Sequence, residues 1–336
     1  MQKNKFFNRR AVALLCSVAV ALGLTTALCS CNGSSRDDGH ISIVCSVFPE
    51  YDWVRNVVGD RKNVEVSLLV SNGTDVHSYE ATPADMVALK QSDLVISAGG
   101  VSDSWIAQAL EGEDGVWHMR LCELPQMTLY GMSAQNIGHA HGEDCNGEEH
   151  SHGETDEHLW FSLKNAAYAV ECISDALCVL DADGADTYKT NAKEYVQRIN
   201  TLDARMTELA SGLAKEKNTV FADRFPFVYL FEDYSLKYFA AFEGCTTDAE
   251  ADFETIVKLS SKIDELGATC VLITETSDGS LAKSVIENSQ SKNATVYVLD
   301  SMQSVTADDI AAGASYLGIM EQNILVLTLS FGGAQE

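Results

Sequence analysis

Apolar runs of four to eight residues alternate with segments of helical period along most of this chain. Ile41–Phe48 (ISIVCSVF), Val64–Val70, Leu94–Ser97 and Val116–Leu121 have the length and continuity of buried strands. Tyr51–Val58 and Ala84–Gln91 fall between them with helical period, and Thr82-Pro83 forms a helix entry ahead of the second. The rhythm returns in the second half. Thr219–Ala222, Lys237–Ala241, Cys270–Thr274 and Thr295–Leu299 predict strands, and Phe225–Asp233, Asp252–Leu266 and Ser280–Asn288 predict helices. Strands that alternate with helices assemble side by side and parallel.

The middle of the chain breaks this rhythm. From Asp183 the apolar positions Tyr188, Ala192, Tyr195, Ile199, Leu202, Met206, Leu209 and Leu213 step by four and three. No proline or glycine falls between Ala185 and Ser211. The pattern predicts one amphipathic helix of roughly 30 residues, about 45 Å long. A coiled-coil partner could cover such a stripe, but its place between two βα halves points to a rigid strut. The expected architecture is an α/β protein with two βα lobes, each built on a parallel sheet, joined by this helix. The N-terminal lobe is expected over 41–180, the linking helix over 181–216 and the C-terminal lobe over 217–336.

Residues 1–31 read as an export leader. Lys3, Lys5, Arg9 and Arg10 precede an apolar stretch, Ala11–Leu28, that is too short for a comfortable membrane span. Leu28-Cys29-Ser30-Cys31 resembles a bacterial lipobox, with Cys31 as the lipidated residue; Cys29 fits the pattern less well. Simple secretion with cleavage nearby is the alternative. Residues 32–40 read as a flexible tether. The whole chain carries a formal charge of −26, and without the four basic residues of the leader it is −30. Such a charge repels nucleic acid and anionic lipid and attracts cations, so membrane attachment is expected through the lipid alone.

That charge gains meaning from His139–His158, which holds five of the eight histidines and seven acidic residues. His139, His141, His150, His152 and His158 supply imidazoles, and imidazole with carboxylate binds borderline divalent cations such as zinc. The window lacks apolar period and reads as an exposed loop over 138–157. A solvated acidic linker with incidental histidines is the competing reading. After Cys31 seven cysteines remain, without a CxxC pair, and no disulfide is assigned. Cys145 could join metal binding in the loop.

Two histidines stand where strands give way to loops. His77 lies in Gly73-Thr74-Asp75-Val76-His77-Ser78-Tyr79-Glu80, after the strand at Val64–Val70. In parallel sheets ligands bind beyond the carboxyl ends of strands. His158 lies in Asp156-Glu157-His158-Leu159-Trp160, where the loop rejoins the fold. These two motifs, Thr82-Pro83 and Tyr188-Lys189-Thr190-Asn191-Ala192-Lys193-Glu194-Tyr195 resemble, in order, the motifs of the substrate-binding lipoproteins of ATP-driven zinc and manganese importers. The resemblance runs from about Ile41 to the C-terminus. It implies a metal site in the cleft with four ligands, two per lobe. His77 and His158 take the first two places, and Asp300, in Val298-Leu299-Asp300-Ser301, takes the fourth. The third place holds no histidine in this chain. Asp223 fits it with a one-residue shift, whereas an ungapped match on Tyr229 and Tyr234 puts Arg224 there. Glu275 matches a supporting glutamate behind the ligands, or is a solvated loop acid.

The function so implied is capture of zinc and its delivery to an ABC permease in the membrane, without chemistry on a substrate. A monomer is expected. Two imidazoles and two carboxylates also suit manganese, and the acidic histidine loop favours zinc. Binding should weaken below roughly pH 6, because protonated imidazole cannot ligate. The alternatives are a surface adhesin of the same family, an extracytoplasmic zinc hydrolase with a bound water, and a metal buffer in which only the loop matters.

Overall fold

The apolar runs become two separate four-stranded sheets in a computed structural model that describes residues 39–131, 155–213, 218–242 and 251–332. The leader with Cys31, nearly all of the tether, Cys145 and the loop histidines His139, His141, His150 and His152 lie outside the described residues. The first lobe runs β1 (Ile41–Cys45), α1 (Phe48–Val58), β2 (Val64–Leu68), α2 (Pro83–Gln91), β3 (Leu94–Ser97), α3 (Ser104–Ala109) and β4 (Trp117–Arg120). Its strands are parallel, in the order β2-β1-β3-β4. Two helices follow, α4 (Leu163–Leu180) and α5 (Ala185–Gly212). The second lobe runs β5 (Asn218–Phe221), α6 (Val228–Asp233), β6 (Lys237–Ala240), α7 (Phe253–Leu266), β7 (Cys270–Thr274), α8 (Ser280–Asn288), β8 (Thr295–Leu299), α9 (Ala307–Ala311) and α10 (Tyr316–Ser330). These strands are also parallel, in the order β6-β5-β7-β8. β3 and β7 are buried along their whole length, as expected for strands covered by helices on both faces.

The strand order reverses between β1 and β3 in one sheet and between β5 and β7 in the other. At such a switch the flanking connections leave in opposite directions and open a crevice beyond the carboxyl ends of the strands. Each sheet thus offers one crevice. His77 follows β2, Asp223 follows β5, Glu275 follows β7 and Asp300 follows β8.

Helix α5 buries Tyr188, Ala192, Tyr195, Ile199, Leu202 and Met206, six of the eight apolar positions read from the sequence. It joins the two lobes, as a wall against which both pack. It packs on α1, α4 and α10, and one apolar cluster runs from Val54 and Val57 through Ile199 to Phe231 and Tyr316. Polar contacts fasten it at intervals. Tyr188 donates to Asp181 and Tyr195 to Asp52, both at 2.6 Å, while Tyr234 of the second lobe donates to Asp203 at 2.6 Å. Edge-to-face packing of Trp53 on Tyr316, with centroids 5.2 Å apart, ties α1 to α10.

Several elements differ from the sequence reading. Helices α3, α4, α9 and α10 were not anticipated. α6 begins at Val228, because Phe225-Pro226-Phe227 forms an aromatic plug: Phe225 stacks on Tyr238 at 3.8 Å and Phe227 packs on Phe161 at 4.7 Å. Among the described residues no helix is long and apolar enough to cross a membrane.

Candidate metal centre

After β2 the chain turns through Ser71-Asn72-Gly73-Thr74. Gly73 has φ +68°, and a Cβ there would come within 3.2 Å of the Thr306 side chain, so both backbone and space call for glycine. Asp75 then caps the short turn Val76–Ser78, its Oδ1 accepting the His77 backbone N–H at 3.0 Å. The second histidine is held in a similar way. Asp156 Oδ1 accepts both the backbone N–H and the ring Nδ1–H of His158, each at 2.9 Å. His158 is 2% exposed and packs edge-to-face on Trp160 at 5.2 Å.

Eighty-one residues apart in sequence, the two rings meet with Nε2 3.2 Å from Nε2. Their outer nitrogens explain the chemistry of this contact. His77 Nδ1 lies 2.7 Å from Ser102 Oγ and 3.0 Å from Glu157 Oε1, while Ser102 Oγ donates to Glu157 at 2.5 Å. Each Nδ1 therefore faces an oxygen, and the two Nε2 atoms face each other, where the pair can share a proton or, once that proton leaves, offer two lone pairs to a metal ion. Two nitrogens about 2.0–2.1 Å from one tetrahedral zinc are separated by about 3.3 Å. The pair has that spacing.

Burial alone would raise the Glu157 carboxyl, but the hydrogen bonds from His77 and Ser102 and the proximity of His158 outweigh it and hold it down at about 2. Glu157 comes this close only because residue 100 is glycine: a Cβ there would lie 2.3 Å from the glutamate side chain. The neighbouring Asp103 is pushed up to about 6 by burial, with the Glu157 charge adding and the Gly99 amide and Arg120 opposing.

The C-terminal lobe holds its acids differently. Asp223 Oδ2 accepts the backbone N–H and hydroxyl of Thr274 at 3.0 and 2.6 Å, and Oδ1 accepts the Arg224 N–H at 2.8 Å. The Arg224 side chain reaches across to Asp75 at 2.9 Å. Asp300 is raised to about 6 by burial and by the charge of Glu275. Glu275 accepts from Ser301 N and Oγ, both at 2.7 Å, and from Ser304 Oγ at 3.0 Å, so it fixes the loop that carries Asp300. Among the described residues no group of three or more His, Cys, Asp and Glu side chains is placed to hold a metal ion. The histidine pair is assembled, and Asp223 and Asp300 are anchored within their own lobe. The sequence reading missed Glu157 and Ser102 as partners of His77, although Glu157 adjoins His158 in the motif it singled out.

The sequence pattern of the family described as zinc-uptake complex component A, periplasmic, matches residues 43–329. The zinc-binding lipoprotein AdcA of Streptococcus pneumoniae (strain ATCC BAA-255 / R6) is 29% identical over 322 residues, covering 95% of this chain and 60% of the relative. This chain thus spans about 60% of the length of that relative. The high-affinity zinc uptake system protein ZnuA of Bacillus subtilis (strain 168) is 25% identical over 321 residues, covering 91% of this chain and 94% of the relative. The crystal structure of the Zn(II)-bound ZnuA-like domain of Streptococcus pneumoniae AdcA superposes with a TM-score of 0.68 at 25% identity, covering 87% of this chain and 99% of that domain. With nearly all of the two-lobed unit inside the matched span, this chain belongs to the zinc-uptake complex component A family.

Proposed function

We propose that this chain captures zinc outside the cytoplasmic membrane and hands it to an ABC-type permease. His77 and His158 take the ion through Nε2, and Asp300 and Asp223 complete the shell as the cleft draws in around it. The observation that carries this reading is the 3.2 Å separation of the two Nε2 atoms, each on a ring whose Nδ1 is tied to a carboxylate. Carboxylates behind metal-binding imidazoles fix the tautomer and raise ligand basicity. Four protein ligands leave no position for an activated water, so the work ends at binding and release.

Bonds between the lobes favour small displacements over wide opening. Tyr229 donates to the Asp156 carbonyl at 2.8 Å, and Tyr130 and Ser162 donate to Asp233 at 2.9 and 2.6 Å. The acidic histidine loop raises the local cation concentration beside the site, and a lipid on Cys31 keeps the chain near its permease. Zinc titration of the mature chain beside His77→Ala and His158→Ala tests the reading. Loss of one tight equivalent in each variant is expected, and its retention in both overturns the assignment.

A further inference from the structure

The loop that carries His77 belongs to the first lobe, yet the second lobe holds it at two points. Asn72 forms an isolated antiparallel bridge with Thr306, and Ala307 N donates to Ser71 O at 3.1 Å. Further along, Arg224 Nη1 reaches Asp75 Oδ2 at 2.9 Å, with the two side chains 33% and 21% exposed. Asp75 spends its other oxygen on the His77 backbone N–H. Arg224 is itself anchored, because its N–H donates to Asp223 Oδ1 and Asp223 Oδ2 is bound by Thr274 at the end of β7. An unbroken series of contacts thus links Thr274, Asp223, Arg224, Asp75 and the ligand turn at His77.

We propose that Arg224 is a positioning residue of the zinc site: through Asp75 it fastens the His77 turn to the C-terminal lobe. This inference rests on the zinc-binding reading above. The guanidinium cannot ligate a cation, and left unpaired it would repel one. Paired with Asp75 it is neutralised, and its fixed direction holds the turn in register with His158. The second lobe then acts on the ion through the His77 loop as well as through its own acids.

A cycle of Arg224→Gln, Asp75→Asn and the double variant tests the proposal by zinc titration of the mature chain. Asn at position 75 retains an oxygen for the His77 N–H, so the turn can keep its cap while the ion pair is lost. Each single variant should bind zinc about 10- to 100-fold more weakly, the range typical of partners behind a metal ligand. The double variant should be no weaker than Asp75→Asn, because removing Arg224 also removes the unpaired positive charge. Exchange of the His77 amide should accelerate in Arg224→Gln while amides of β1 and β3 keep their protection. Single variants within about twofold of the parent, or losses that multiply in the double variant, overturn the clamp while leaving the site intact. A parent chain whose tight equivalent survives His77→Ala overturns the zinc-binding reading, and the clamp with it.

Discussion

Glu157 Oε1 lies 3.0 Å from His77 Nδ1, while His158, the next residue along, meets the far nitrogen of the same ring at 3.2 Å. One tripeptide, Asp156-Glu157-His158, therefore supplies the second imidazole and a carboxylate for the back of each ring. Replacing Glu157 by Gln keeps the shape but removes the charge that makes the His77 Nδ1–H the favoured tautomer. Zinc affinity should fall about 10- to 100-fold by calorimetric titration. Gly100→Ala should imitate it, since the added Cβ would displace Glu157. Unchanged affinity in both would remove Glu157 from the site.

The pH dependence of stability should carry the mark of Asp103, which faces Glu50, Glu157 and Arg120. Its folded value of about 6 lies above the unfolded carboxylate value of about 3.9. Below the lower value both states hold the proton, and the group contributes no difference. Between the two values the folded chain keeps a proton that the unfolded chain has released, so rising pH destabilises the fold until the folded group ionises near 6. The full penalty is on the order of 3 kcal/mol. Asp103→Asn, which can still accept from Gly99, should flatten this part of the stability curve in chemical unfolding at pH 4 and pH 7. A slope equal to the parent's would contradict the assignment.

Tyr195→Phe probes the joint between the long helix and the first lobe. It deletes a 2.6 Å hydrogen bond to Asp52, which is 8% exposed, and leaves that carboxylate with Asn56 as its side-chain donor among the described residues. A loss of about 1–3 kcal/mol in unfolding free energy is expected. A neutral effect would mean that this hydrogen bond adds nothing to the other contacts that hold α5.

The βα alternation was legible because buried parallel strands are written as short apolar runs, and seven of the eight register within two residues of their predicted ends. The exception in this respect is the first, where the predicted strand runs to Phe48 but β1 ends at Cys45, and Phe48 and Pro49 open the first turn of α1. Helix α10 gave no usable period, since Tyr316, Leu317, Met320, Ile324 and Leu327 are buried and apolar residues also fill the spaces between them. α4 could have been read from Ser162 as its cap and from Ala166, Ala169, Val170, Ile173 and Leu177 at helical spacing. His77 and His158 were legible as residue types at the right ends of elements. Their meeting, and the roles of Ser102, Gly100 and Glu157, depend on how three separate loops converge, which no local pattern encodes.

The histidine-rich segment and the cleft should separate experimentally. Deleting Gly138–Thr155 removes four histidines but leaves His77 and His158, so the tight equivalent should persist while weaker binding disappears. Loss of all zinc binding in an otherwise folded deletion variant would make the loop the store and the cleft incidental.

The most direct measurement is a zinc-edge anomalous difference map from crystals of the zinc-loaded chain. The strongest peak should stand about 2.0–2.1 Å from both His77 Nε2 and His158 Nε2. A strongest peak bonded to neither ring would contradict the assignment of the cleft as the zinc site.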